Sequence, residues 1–153
     1  SRDCLILTST SSSAQTFANL SETVLTGLDT ARFNQGTMSY NSGNGRLTVN
    51  NTGLYHVHLK LVWNTNADGG NDDYVTIRRN GDKDWSDLDE YGNFWFNTLG
   101  SSVSSTWYYR HYQVQMMVPM TSGQYIDITL RHNAGSNRTI HGQMSYWQTT
   151  YIG

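Results

Sequence analysis

Apolar and polar residues alternate strictly over one segment near the middle of the chain. Its apolar positions lie two residues apart, at Tyr55, Val57, Leu59, Leu61 and Trp63. Because successive side chains of a β-strand point to opposite faces, this period predicts a long strand with one buried face. His56, His58 and Lys60 fall between the apolar positions, and we expect them to share the opposite face.

Shorter strand-like segments, separated by turn residues, flank this long strand. Alternation continues over residues 112–120 and 125–132, and Asn80-Gly81 is the strongest hairpin-turn signal in the chain. Other candidate strands cover residues 4–7, 23–26, 46–49 and 140–152. Together these segments predict an all-β chain of about eight to ten strands, of the sandwich or jelly-roll type. We expect an N-terminal strand and a linker that could join a stalk in residues 1–16, and one domain in residues 17–153.

Composition agrees with an all-β fold and excludes several classes of partner. Glu and Lys, which favour surface helices, are scarce, whereas strand and turn formers are abundant. A net charge of -2 without a basic cluster argues against a nucleic-acid partner, and no apolar run is long enough to insert into a membrane. Cys4 is the only cysteine, so stability must come from the core or from oligomerisation rather than from an intrachain disulfide.

The long strand and the residues before it resemble a family signature. The spacing of Tyr40, Leu47, Gly53, Tyr55 and Val57 resembles that of the C1q-like domain of the C1q/TNF jelly-roll superfamily, with Leu47 and Val57 at positions where the family usually has phenylalanine. Residues 118–126 resemble the family's turn into a late strand, and residues 140–153 resemble its last, central strand. The resemblance implies an antiparallel jelly-roll sandwich (C1q/TNF-like) of about ten strands that assembles as a homotrimer.

Two segments extend the resemblance toward a particular kind of C1q-like domain. Residues 79–82 and 118–126 resemble those of bacteriophage and bacterial fibre proteins. The resemblance therefore implies a viral or phage tail-fibre protein, at the virion surface or outside the cell.

The resemblance also implies which side chains face the core and which face a partner. Alternate residues would fill the sandwich, namely Val57, Leu59, Ile126, Ile128 and Leu130. The opposite faces of these strands would meet neighbouring subunits, through His56, His58, Tyr125 and Asp127. Three copies of the histidine pair would then form a ring of imidazoles, able to bind a transition metal or to make assembly pH-sensitive. Ordinary interface packing is the simpler interpretation, because buried polar groups need partners but seldom need metals, and we predict no metal or other cofactor.

An aromatic segment near the middle of the chain carries the candidate ligand-binding residues. These are Trp85, Tyr91, Trp95, Trp107 and Tyr108. Aromatic rings beside Asp and Asn suit sugars, whose apolar faces stack while the hydroxyls form hydrogen bonds. The alternative is that these rings fill the core or the subunit interface, where aromatic residues are also enriched.

Acidic residues crowd two neighbouring loops, over residues 68–73 and 82–90. Carboxylate oxygens suit Ca²⁺, but neither segment has EF-hand spacing, and Asp and Asn are also typical turn residues.

Recognised catalytic motifs are absent from the sequence, so we predict no enzyme. The sequence therefore predicts a non-enzymatic trimeric binding head of a fibre or spike that recognises a cell-surface glycan or protein. A virion structural or capsid decoration module, and a monomeric carbohydrate-binding jelly roll, remain alternatives.

Overall fold

The computed structural model describes residues 2–64, 72–81, 93–97 and 111–153. Thirteen β-strands and no helix occur among these residues. The strands are β1 (Cys4–Thr8), β2 (Gln15–Phe17), β3 (Thr23–Val24), β4 (Thr30–Gln35), β5 (Ser39–Asn41), β6 (Arg46–Thr48), β7 (Gly53–Val62), β8 (Asp72–Arg79), β9 (Asn93–Asn97), β10 (His111–Met120), β11 (Tyr125–Arg131), β12 (Arg138–Ile140) and β13 (Tyr146–Tyr151).

A five-stranded antiparallel sheet has the order β10-β7-β13-β1-β4. The predicted long strand is β7, and Leu59 on it lies opposite Val114 of β10 and Trp147 of β13. The N-terminal strand β1 lies between β13 and β4. It therefore belongs to the same sandwich as the rest of the chain, although the sequence assigned it to a separate N-terminal segment.

The second sheet has six strands, of which five run in the order β5-β6-β11-β8-β9 while the short β3 also pairs with β11. All of its pairings are antiparallel. Strands β2 and β12 form a small separate pair. The acidic loop predicted over residues 68–73 ends earlier than expected, because β8 already begins at Asp72.

The core between the two sheets contains the side chains that alternation predicted. Each of the five predicted core residues is at most 1% exposed: Val57, Leu59, Ile126, Ile128 and Leu130. Phe17 and Trp147 are buried just as completely, and the sequence did not single them out. Trp147 meets Tyr40 edge to face, with ring centroids 5.6 Å apart. The antiparallel sandwich with one continuous core is confirmed.

The Asn80-Gly81 turn signal is also confirmed in its backbone geometry. Both residues have positive φ, 55° and 74°, a conformation that Asn and Gly adopt more readily than other residues. Asn80 pairs with the start of β11, since its backbone N–H donates to Tyr125 O at 2.9 Å. Its side-chain Oδ1 accepts from the N–H of Tyr125 at 3.0 Å. The next described strand is β9, which begins at Asn93.

Close packing explains two positions of the sequence signature. A Cβ atom on Gly53 would lie 2.5 Å from the ring of Tyr151, so only glycine fits at the start of β7. That same ring packs on Tyr55, with centroids 5.2 Å apart. The signature therefore marks the place where Gly53 and Tyr55 of β7 pack closely against the ring of Tyr151 on β13.

The half-buried Tyr40 and the buried Tyr55 form a pair for testing how much a hydroxyl group contributes to stability. The Tyr40 hydroxyl is buried without a hydrogen-bond partner among the described residues, and burial raises its pKa to about 12. The Tyr55 hydroxyl donates to Asn51 O at 2.7 Å. A buried hydroxyl without a hydrogen-bond partner carries a desolvation cost. A hydrogen-bonded hydroxyl contributes about 1 kcal/mol to the free energy of unfolding.

We therefore expect Tyr40→Phe to leave the free energy of unfolding unchanged or to raise it by up to about 1 kcal/mol. Tyr55→Phe should lower it by about 1 kcal/mol. Urea denaturation followed by tryptophan fluorescence compares the two variants directly. A larger loss for Tyr40→Phe than for Tyr55→Phe would show that this hydrogen-bond assignment is wrong.

Candidate functional site

The outward side of the five-stranded sheet presents the two predicted histidines. In the sheet, His58 lies between Gln115 of β10 and Gln148 of β13, and His56 lies between Met117 and Thr150. We call the outward-facing residues of this sheet the histidine face. We restrict the name to twelve of them, namely Cys4, Ile6, Phe33, His56, His58, Lys60, Gln113, Gln115, Met117, Tyr146, Gln148 and Thr150.

The histidine face is unusual in its low charge. Lys60 is its only residue with a permanent charge, and none of its members is a carboxylate. Phe33 is 45% exposed and Met117 is 41% exposed, and the half-buried Ile6 of β1 lies between Phe33 and the central strand β13. Exposed apolar side chains with few charges are typical of the core of a protein interface.

The two imidazole rings lie against each other but contact different strands. His56 Nε2 lies 3.1 Å from Gln115 Oε1 on β10, and an amide oxygen can only accept, so the ring donates this hydrogen bond. His58 Nε2 lies 3.4 Å from the hydroxyl oxygen of Tyr146 on β13, and the two rings meet edge to face. The imidazole centroids are 6.2 Å apart.

This geometry does not form a metal chelate within one chain. The Nε2 atoms contact side chains on the two strands that flank β7, rather than a common point. No cluster of three or more His, Cys, Asp or Glu side chains suited to a metal ion occurs in residues 2–64, 72–81, 93–97 and 111–153.

Burial lowers the pKa of His58 below the ordinary value of 6.5, and the neighbouring His56 lowers it further. Burial disfavours the charged imidazolium, and a second imidazolium nearby would repel it. In the unfolded chain His58 binds its proton at a higher pH than in the folded chain. Folding is therefore favoured above pH 6.5, and that contribution is lost as the pH falls from 6.5 through the lowered pKa.

The other two predicted interface residues lie on the second sheet. Tyr125 and Asp127 belong to β11, so the structure does not bring them together with His56 and His58. Asp127 is 2% exposed, and both of its oxygens accept from Arg78 at 2.6 Å. The guanidinium of Arg46 lies 4.2 Å from the centre of the Tyr125 ring. These two residues thus interact with side chains of their own chain, and no single face contains all four predicted residues.

Most of the predicted ligand-binding residues fall outside the described part of the chain. Trp85, Tyr91, Trp107 and Tyr108 are among them, and only the backbone of Trp95 is placed. It lies in β9, opposite Tyr74 of β8. Of the acidic loops, only the backbone of residues 72–73 is described, at the start of β8. Sugar binding by the aromatic segment stays a prediction, as does calcium binding.

Sequence reasoning missed the neighbours that surround the histidine pair. Tyr146 and Gln148 come from β13, and Ile6 comes from β1, which are far from β7 in sequence. Alternation within a segment shows which residues share a face, but it does not show which strands are adjacent. The resemblance of residues 140–153 to a central strand was the one signal that pointed to β13 as a neighbour of β7.

Comparison with known proteins identifies the fold. No protein-family model matches the chain, and no curated protein matches its sequence. The crystal structure of murine APRIL at pH 8.0 is similar over 99% of this chain and 100% of that chain, with a TM-score of 0.61 and 11% identity. The structure of Eiger TNF from S. frugiperda is similar over 99% of this chain and 93% of that chain, with a TM-score of 0.58 and 12% identity.

These likenesses, at such low identity, show the fold alone. The chain is an all-β protein with an antiparallel TNF-like jelly-roll fold, which confirms the predicted fold class. The described residues contain no helix of the length and apolarity that crossing a membrane requires.

Proposed function

We propose that this chain is a non-enzymatic binding head that assembles as a homotrimer through the histidine face. Its role would be to recognise a cell-surface glycan or protein at the tip of a phage-like fibre or spike. The observation that carries the proposal is the composition of the histidine face, which is broad, nearly uncharged and partly apolar. Such a surface is costly to leave in water and is typical of a contact with another protein.

A second copy of the chain is the partner that the resemblance favours. C1q/TNF-like domains are expected to be homotrimers, and in that family this sheet packs around the three-fold axis. In a ring of three, each copy meets its neighbours through two different patches, and the ring closes without leaving an open contact. The exposed Phe33 on β4 and Met117 on β10 lie at opposite edges of the sheet, where such patches would meet.

The receptor-binding role rests on the aromatic segment and on the sequence resemblance. The candidate aromatics lie in a segment that lacks the regular period of a core strand, and its first part, residues 82–97, is rich in Asp and Asn. They are Trp85, Tyr91, Trp95, Trp107 and Tyr108. Aromatic rings beside polar side chains suit sugars or protein hot spots. The likeness of residues 79–82 and 118–126 to fibre proteins supports the setting of a particle surface.

Two variants test the two halves of this proposal separately. Gln148 lies on the central strand of the histidine face, and Gln148→Lys would place a charge near Lys60 and His58. We expect a folded protein whose assembly is weakened about 100-fold, because a charge buried at an interface without a partner is costly.

Trp95→Ala should stay trimeric but lose adsorption to cells or polysaccharide.

Light scattering coupled to size-exclusion chromatography measures the mass, and labelled protein measures adsorption. The control is Ser42→Lys, which adds the same charge in the exposed turn between β5 and β6 and should change neither property. Unchanged trimer mass in Gln148→Lys would remove the histidine face from the interface. If Trp95→Ala adsorbs as well as the wild type, that tryptophan is not part of the binding site. If the wild-type chain adsorbs to no surface at all, the structural decoration role is favoured.

A further inference from the structure

We propose that the histidine face is a pH switch, assembled at neutral pH and released as the solution becomes mildly acidic. This inference rests on the proposed homotrimer and adds a regulated property to it. It is carried by the contacts of the two imidazoles and by the absence of a carboxylate on the histidine face.

The contact between His58 and Tyr146 changes its direction when the imidazole is protonated. The Tyr146 hydroxyl can donate to the lone pair of His58 Nε2, from which it lies 3.4 Å away. A protonated ring has no lone pair and can only donate, so the hydroxyl would have to turn. His56 already donates to Gln115, so its protonation adds a second donor at Nδ1 with no carboxylate on the face to receive it.

The strands around the pair supply only cationic or neutral groups to the histidine face. On β7 itself Lys60 is cationic, and on β10 the titratable group is His111, exposed at the start of the strand. The flanking β13 supplies the Tyr146 phenol, and β1 supplies the Cys4 thiol. Arg32 lies on β4 at the position of the register shift.

Two described carboxylates directly precede strands of this sheet, and both already accept hydrogen bonds. Asp29 precedes β4 and accepts from the Thr30 hydroxyl at 3.1 Å. Asp3 precedes β1 but is buried, and its Oδ2 accepts from Thr37 at 2.7 Å and from Asn51 at 3.1 Å. Each proton added to His56 or His58 therefore increases an existing positive charge. A homotrimer brings three such faces together, so the repulsion would be felt across every contact between subunits.

Association would lower the pKa of His58 further, in the direction that folding has begun. Burial already lowers the pKa of His58 in the single chain, and a neighbouring subunit would remove more water from it. The assembled form then binds fewer protons than the free form, so linkage makes assembly weaker as the pH falls below 6.5 and through the lowered pKa of His58 in the free chain. The expected change is the loss of the trimer and the appearance of a folded monomer.

The test measures native mass at about pH 8, about pH 6.5 and about pH 5, at one ionic strength and about 10 µM protein, with far-UV circular dichroism at each pH. The wild-type chain is compared with the His56→Gln/His58→Gln double variant, in which two neutral side chains retain hydrogen-bonding capacity. His111→Gln is the matched control, since it removes an exposed imidazole at the start of β10, outside the residues that define the histidine face.

The proposal expects three times the 17.3 kDa chain mass at about pH 8 and one chain mass at about pH 5, with the fold retained. The double variant should remain trimeric at both, and His111→Gln should behave as the wild type. A wild-type trimer at both pH values would overturn the switch and leave the trimer standing. A monomer at about pH 8 would overturn the trimer itself. If the double variant also dissociates at about pH 5, the histidine pair is not the sensor. If the wild-type chain unfolds at about pH 5, its dissociation does not come from the histidine pair.

Discussion

Leu59→Asp is expected to abolish folding. Leu59 is fully buried at the centre of β7, where it lies opposite Val114 and Trp147 on the two flanking strands. Removing a buried leucine costs about 2–5 kcal/mol, and a buried carboxylate without a partner adds a further cost of several kcal/mol. The sum is comparable with the whole stability of a typical domain, about 5–15 kcal/mol.

Circular dichroism and thermal unfolding at neutral pH check this expectation, with Ser39→Asp as the control. Ser39 is exposed on β5, outside the histidine face and next to the buried Met38, so the same charge there remains hydrated. We expect the control to fold cooperatively. A soluble, cooperatively unfolding Leu59→Asp protein would contradict the assignment of this face of β7 to the core.

Arg78→Ala is expected to lower the free energy of unfolding by about 3–5 kcal/mol. Arg78 binds Asp127 through two parallel hydrogen bonds of 2.6 Å, and their side chains are 18% and 3% exposed. The hydrogen bonds to Asp127 raise the pKa of Arg78, despite its partial burial, and the charge of Glu22 acts in the same direction. Removing the guanidinium leaves the buried carboxylate of Asp127 without an opposite charge. An uncompensated buried charge is strongly destabilising, which is why the expected loss is large.

Two further variants separate the charge from the packing. Asp127→Asn leaves the unpaired charge on Arg78, which is better hydrated, so we expect a smaller loss of about 1–3 kcal/mol. Replacing both, as Arg78→Met with Asp127→Leu, should recover most of the stability lost by Arg78→Ala. Urea denaturation at one fixed protein concentration compares the series, since assembly also affects stability. An Arg78→Ala protein within about 0.5 kcal/mol of the wild type would show that the pair is unimportant.

The core could be predicted from the sequence because alternation is a local property. The two-residue period placed Val57 and Leu59 inside, and it did the same for Ile126, Ile128 and Leu130 on β11. Phe17 was missed because β2 is only three residues long and shows no period. Trp147 was missed for a similar reason, since the polar Thr149 shares the buried side of β13 with it.

The interface assignment shows what alternation cannot supply. It correctly placed His56 and His58 on the side of β7 opposite the core, but it could not tell that β11 belongs to another sheet. Nor could it show that Arg78 of the adjacent β8 would bury Asp127, because that pairing depends on the cross-strand register. A polar residue on an outward face can therefore be satisfied within its own chain and need no partner subunit.

The fold limits the function without deciding it, because jelly rolls host binding, structural and catalytic roles. In this chain the argument for assembly comes from one surface, where exposed Phe33 and Met117 accompany a single permanent charge at Lys60. That surface also holds the two histidines, so assembly and its response to pH would be properties of the same contact. The receptor-binding part of the proposal is independent of it, since it depends on the aromatic segment.

The most direct test of the account is the native mass of the wild-type chain at about pH 8, measured by light scattering during size-exclusion chromatography. The account predicts a mass near three times 17.3 kDa that Gln148→Lys lowers while Ser42→Lys does not. A wild-type mass of 17.3 kDa would contradict both the trimeric head and the role of the histidine face, and would favour a monomeric carbohydrate-binding jelly roll.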